Sequence, residues 1–232
     1  MTGDSVNTTR YALGIECSNP STRGPARGEV GLARITDDGL EFVGSLGLSP
    51  EARGSDGLMS AIDELCATRG VVPGDIGRVV VSVGPGGYTA LRVSVTIAKV
   101  LASVVGCRVV AVPTAAVAGV ALIGVDAVVA LASKNGRAHC TRVVDGTMTV
   151  LGVVDGDAVA ACGARVLVGD SFVPEGMIDA ARSAGMEFRA IELTARACLE
   201  ASAGIDAIEP GKLGVLYARE PDAVTQWRKL HG

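Results

Sequence analysis

The sequence predicts an α/β fold in two lobes of one plan, each a mixed sheet with flanking helices. Three observations predict it. Apolar residues make up 48% of the 232-residue chain and charged residues 20%, a composition that folds. Aromatics are only 3%, so the core is left to Val, Ala and Leu, which suit buried parallel strands and close helix packing. The order of apolar runs and glycine turns in residues 11–113 also recurs, more faintly, in residues 127–203.

In the first half, Tyr11–Cys17 reads as a short strand, followed by a loop over Ser18–Gly28. Glu29–Ile35 and Leu40–Leu46 form a hairpin across Asp37-Asp38-Gly39. Leu58, Met59, Ile62, Leu65 and Cys66 recur at helical spacing, with Ser55 or Asp56 as cap and Gly70 as stop. Arg78–Val83 is a continuous apolar strand broken by Gly84-Pro85-Gly86-Gly87. A helix over Thr89–Val105 and a strand over Arg108–Val112 follow. In the second half, Ala127–Leu131, Arg137–Val144 and Thr147–Val153 read as strands joined by turns at Lys134-Asn135-Gly136 and Asp145-Gly146. Then come a strand at Arg165–Val168, a helix over Pro174–Ala184, a strand over Glu187–Leu193 and a helix over Thr194–Ala203.

Three strands, helix, strand, helix, read twice, is the plan of the ribonuclease-H-like fold duplicated in actin-like ATPases. The expected division is a disordered stretch at 1–10, a first lobe at 11–115 and a divergent, truncated second lobe at 116–232. The lobes are expected to meet near residues 113–125.

Composition excludes some functions. The formal net charge is −4, and the sequence shows neither the basic stripe nor the stacking aromatics of a nucleic-acid-binding domain. Any RNA is therefore expected to be held by another chain. The six cysteines form no CxxC pair and read as small buried hydrophobes. Met1–Arg10 lacks the pattern of a secretory leader, and the Ala111–Ala132 run is interrupted by Pro113, Gly119, Gly124 and Asp126. No membrane span and a cytoplasmic location are expected.

The sharpest motif runs from Val79 to Ala102: strand, Gly84-Pro85-Gly86-Gly87-Tyr88 turn, then helix. A helix N-terminus after a glycine turn favours an anion, and Thr89 is expected to cap the helix. Yet no lysine follows the turn as in a Walker loop, and Thr89 stands where a dinucleotide fingerprint has its third glycine. The simpler reading is a tight turn that packs helix against sheet. Within the helix, Arg92, Thr96, Lys99 and Ser103 form one narrow polar stripe, and Leu91, Val93, Val95, Ile97, Val100, Leu101, Val104 and Val105 cover nearly everything else. An apolar surface this broad needs covering on more than one side, by the rest of the fold or by another polypeptide.

The run GPGGYTALRVSVTIAKVLA resembles the GPGSFTGLRIG…AKGLA signature of the TsaB family. LGIECS near the start is similar to that family's LAIDTS strand. Val112-Pro113-Thr114 sits at its next strand end, and Val215–Pro221 (VLYAREP) resembles its closing YLR segment. The likeness is specific over 76–113 and poor over about 145–205. Departures are Glu16 for the first-strand Asp, Ala90 for a signature glycine, Arg53-Gly54-Ser55-Asp56-Gly57 where a histidine is usual, and Ala132-Ser133-Lys134 for the second-lobe Asp-Ala-Arg, with Gly136 retained.

The resemblance implies an accessory protein, not a catalyst. It implies docking of the two first-lobe helices, through Leu58, Met59, Ile62, Leu65, Val93, Ile97, Val100 and Leu101, onto a TsaD-type threonylcarbamoyl transferase. A TsaE-type ATPase would complete the assembly, tRNA would be reached only through it, and ATP or ADP would sit at its interfaces and not in this chain alone. Self-association to a homodimer is expected when the partner is missing. The motif turn comprises Gly84, Pro85, Gly86, Gly87, Thr89 and Arg92, and Glu16 with Ser18 marks a vestigial nucleotide site.

The alternative is a small-molecule kinase or ATPase of the actin-like fold. Such an enzyme holds magnesium through a first-strand Asp, and magnesium needs hard oxygen ligands; here Glu16 would have to serve, with no acid at Ala132. No metal site is expected from His139 and His231, since His139 and Cys140, adjacent on a strand, point to opposite faces. Nor is a hydrolase expected, for the chain has no G-x-S-x-G elbow. Trp227, with Arg228 and Lys229, reads as the end of an amphipathic helix packed on the fold.

Overall fold

The computed structural model describes residues 10–18, 28–49 and 55–219, together with 227, 230 and 231. The N-terminal stretch before Arg10, most of the loop after Ser18, Arg53 and Gly54, and Arg228 and Lys229 lie outside the described residues. The chain forms two five-stranded sheets with helices on both faces.

The first sheet comprises β1 (Tyr11–Glu16), β2 (Glu29–Thr36), β3 (Gly39–Gly47), β4 (Ile76–Gly84) and β5 (Arg108–Pro113), in the order β3-β2-β1-β4-β5. β1, β2 and β3 pair antiparallel, and β4 and β5 add parallel strands. The second sheet repeats this with β6 (Ala127–Lys134), β7 (Arg137–Val144), β8 (Thr147–Val154), β9 (Val166–Gly169) and β10 (Glu187–Ala190), in the order β8-β7-β6-β9-β10. Duplicated order and pairing are those of two ribonuclease-H-like lobes.

Strands covered on both faces are near-continuous apolar runs, and β4 (IGRVVVSVG) is one, apart from Arg78 near its start and the buried Ser82. Val79, Val81 and Val83 face one way with Leu13 and Ile15, beneath α1 (Ser55–Thr68) and α2 (Tyr88–Val105). Val80 faces the other way with Ala12, Val110 and Val112. In the second lobe, Val128, Ala130, Cys140 and Leu167 pack under α4 (Gly156–Ala161) and α5 (Glu175–Ser183), through Val159, Met177 and Ala181.

Two short helices lie between the sheets. From α3 (Thr114–Gly119), Val117 enters the first sheet's cluster while Ala115 and Ala118 enter the second's. The other, α6 (Ala195–Ala201), belongs by sequence to the second half yet packs Cys198 and Leu199 on the first sheet. Its approach needs a glycine beneath it: a Cβ on Gly14 would lie 2.7 Å from Leu199 Cγ and 3.1 Å from the Ala195 carbonyl. Two groups cap it, Thr194 accepting from the Ala197 amide (3.0 Å) and Glu29 of β2 accepting from the Ala195 amide (2.6 Å).

The element order expected from sequence holds, with local corrections. α3 and α4 are helices where a junction between lobes and an unassigned connection between two strands are expected. Each has only six residues, too few for helical periodicity to declare itself. α1 already includes Ser55 and Asp56, the residues expected to cap it. Gly87, not Thr89, is the N-cap of α2. By length and hydropathy alone α2 could cross a membrane, but Leu91, Val95, Ile97, Ala98 and Ala102 are buried, as in a helix packed on a core.

Candidate functional site

The Gly84–Gly87 turn is built against the end of β1. The Gly87 amide donates to the Ser18 carbonyl at 2.6 Å, and a Cβ on Gly86 would lie 1.9 Å from that same oxygen. Only glycine lets the two backbones approach so closely. One amide that could have met a phosphate is thereby engaged within the protein, and the turn acts as the clasp that seats α2 on its sheet.

Beside the clasp lies Glu16, 2% exposed. Its Oε1 accepts from the Ser18 amide (2.8 Å) and the Ser18 hydroxyl (2.5 Å), so the two residues expected at a vestigial nucleotide site do meet. Its Oε2 is buried and has no hydrogen-bond partner among the described residues. Burial pushes the carboxyl above its ordinary value, with the Ser18 hydrogen bonds opposing. Burial and the Glu16 charge push the neighbouring Cys17 thiol up to about 12, far from a reactive thiolate. Ser82 and Thr114, 3.0 Å apart, tie β4 to the start of α3. Among the described residues no group of three or more His, Cys, Asp or Glu side chains is placed to share a metal ion.

The second lobe contributes the β6–β7 hairpin. Ala132 stands there with φ 52°, and its carbonyl accepts from Arg219 at 2.8 Å. The same guanidinium reaches the Lys134 (3.3 Å) and Arg137 (3.2 Å) carbonyls. An actin-like kinase would cradle phosphate in such a hairpin; here a side chain from the chain's own closing segment occupies it. His139 lies opposite Leu131 in the ladder. Burial, then the Arg219 charge, holds its imidazole below the ordinary range.

That closing segment joins the lobes. Leu213 is buried in the first core, and the Leu216 amide donates to the Val83 carbonyl (2.8 Å). The Tyr217 ring lies 5.4 Å from that of Tyr88. Arg92 sits 5.3 Å from the Tyr88 ring centre, with Nη1 donating to the phenol at 3.2 Å. Residues 88 and 217, far apart along the chain, become neighbours only through the fold.

The helix face departs from expectation residue by residue. Leu58, Leu65 and Ile97 are 2–8% exposed and belong to the first lobe's own core, so they cannot form the outer docking face expected of them; Ile62 is buried as well but also lines the cleft between α1 and α2. Val93 and Leu101 are half-buried. Met59 (42%), Val100 (55%) and Val104 (79%) stand out from the surface. Between α1 and α2 runs an apolar groove of about 380 Å³, walled by Met59, Ile62, Cys66, Leu101 and Val105 and floored by Leu13 and Val79 of the sheet. On α2, Leu91, Val95, Ile97, Ala98 and Ala102 are buried, while Val100 and Val104 are left uncovered.

Residues 50–195 match the family model described as TsaD, tRNA N6-adenosine threonylcarbamoyltransferase, well over half of the chain. The chain belongs to the TsaD family. No curated protein matches it in sequence. In fold it is similar to YeaZ from Pseudomonas aeruginosa, at 17% identity and a TM-score of 0.64, over 90% of this chain and 99% of that one. A second solved structure, an uncharacterized protein with similarity to peptidase YeaZ from Pseudomonas aeruginosa, gives 18% identity and a TM-score of 0.66, over 90% and 100%. Both likenesses are of fold, two five-stranded lobes over nearly the whole of each chain.

Proposed function

We propose that this chain is a non-catalytic, TsaB-type subunit that docks through the α1–α2 face onto a TsaD-type threonylcarbamoyl transferase, within tRNA modification in the cytoplasm. The observation that carries the reading is the apolar groove between α1 and α2, flanked by Met59, Val100 and Val104. Burying such side chains on a partner is worth about 1.5–3 kcal/mol each. In this reading the catalytic subunit supplies the chemistry, a TsaE-type ATPase joins the assembly with ATP or ADP at its interfaces, and tRNA is drawn in by the complex. The same face pairs two copies as a homodimer when the partner is absent.

Co-purification tests this. Met59→Glu and Val104→Glu, at exposed positions, should abolish capture of the TsaD-type subunit while leaving thermal unfolding unchanged; capture that survives both substitutions removes the docking claim. The alternative, a kinase or ATPase of the actin-like fold, draws on one observation, the buried Glu16 Oε2, which has no hydrogen-bond partner among the described residues. Calorimetry with ATP and magnesium on the isolated chain separates the two, since binding with turnover would favour the enzyme.

A further inference from the structure

Three tyrosines, three phenylalanines and one tryptophan are all the aromatics this chain has. Two of the three tyrosines, Tyr88 and Tyr217, are half exposed (50% and 44%) and lie against each other with ring centres 5.4 Å apart. Arg92 extends the row on the Tyr88 side. The row starts at the first residue of α2, beside the clasp at Ser18. It ends two residues before Arg219, whose guanidinium is fixed on the β6–β7 hairpin. Holding the closing segment does not require these rings, because buried Leu213 and the Leu216 hydrogen bond to Val83 already anchor it. The described contacts of Arg92 and Arg219 are to a phenol, a ring and three carbonyls, all neutral, so neither positive charge is cancelled by them.

Two half-exposed, tilted rings with one guanidinium over the first and another two residues beyond the second offer what an unpaired base and its phosphate require. Bases stack on Tyr rings and Arg planes irrespective of sequence, while the cations meet the backbone. We propose that the Tyr217–Tyr88–Arg92 row is a stacking platform for an unpaired nucleobase, with Arg92 and Arg219 supplying charge to the adjoining phosphate. This goes beyond docking, in which RNA is held by the complex: it gives this chain a direct contact of its own. Duplexes are excluded because their bases are already stacked.

The test uses the intact chain alone, so its outcome is separate from that of the co-purification experiment. Fluorescence anisotropy with a short labelled oligoadenylate should show binding that weakens as salt rises. The Tyr88→Leu/Tyr217→Leu double variant should bind about tenfold or more weakly, as expected for the loss of a stacked base, while the corresponding Phe double variant keeps the affinity within about twofold. Protection of the Leu216 amide from hydrogen exchange checks that the closing segment stays in place in both variants. Competition by ATP at matching affinity would make a free nucleotide the source of the base, and failure of ATP to compete would make it a strand; either keeps the contact. No binding up to about 1 mM, far weaker than nucleic-acid sites ordinarily are, would overturn the proposal. So would Leu variants that bind as wild type with Leu216 protected, or a duplex that binds as well as the single strand.

Discussion

In the first lobe the helices that follow β3 and β4 run for 14 and 18 residues; in the second, the helices at the same points of the plan run for 6 and 9. The sheets beneath them share order and pairing. The short helices of the second lobe send Val159, Met177 and Ala181 into its core, whereas α2 leaves Val100 and Val104 outside. One scaffold thus has two surfaces, and the difference lies in the helical layer. The lobe with the long apolar helices is the one that, in the proposed function, meets a partner.

The two lobes also differ at the turn that follows the fourth strand of the plan, and this gives the largest expected effect. At Gly86 an added Cβ would meet a backbone oxygen at 1.9 Å, and at Gly169 it would meet Val173 Cγ2, a side-chain tip, at 2.3 Å. Backbone held by a clasp yields less easily than a side chain, so Gly86→Ala should cost about 3 kcal/mol or more and Gly169→Ala about 1–3 kcal/mol. Urea unfolding midpoints of the two variants measure this. Equal losses would mean that the clasp is no tighter than its second-lobe counterpart.

A second contrast is chemical. The first lobe buries Glu16 at the end of β1, where the second has Ala132 near the end of β6. Burial raises the native Glu16 value above the ordinary 4.5, so the folded chain holds that proton more tightly than the unfolded one. Its stabilising contribution is complete below about pH 4.5 and is lost as pH rises through the native value. Glu16→Gln should remove that dependence. The variant should gain on wild type as pH rises towards about 7, and the gap should close at acid pH. A pH series of denaturation curves that run parallel for the two proteins would contradict this environment for Glu16.

Smallest is the cap on the second lobe's short helix. Asp155 accepts from the Ala158 amide at 3.1 Å, and Asp155→Ala should cost about 1 kcal/mol, read as a small fall in the unfolding midpoint with α2 untouched. A larger loss that spreads to α2 in hydrogen exchange would show that the cap's effect is not confined to the second lobe.

Much of this was legible in the sequence, for physical reasons that can be named. Long apolar strands such as Val79–Val83 and an 18-residue helix repeat their pattern often enough to be read, and the glycine turn fixes the boundary between them. Short α3 and α4 could not be read in this way, although Asp155 was a usable signal for the second. What periodicity cannot supply is which apolar residues face inward. Leu58, Ile62, Leu65 and Ile97 look no different in sequence from Val100 and Val104, and only the sheet beneath decides. Long-range pairings were equally hidden: the Tyr88–Tyr217 stack, the Arg219 contact with the β6–β7 hairpin, and the Glu29 cap on α6 each join residues far apart along the chain. Tyr88 and Arg219 do fall inside segments that resemble the TsaB pattern, which was the one available hint.

The most direct test of the docking account is hydrogen exchange on this chain, alone and mixed with the TsaD-type subunit of its own cell. The account predicts new protection concentrated on α1 and α2 around Met59, Val100 and Val104, with the amides of α4 and α5 unchanged. Protection confined to the second lobe, or none on either helix at saturating partner, would contradict it.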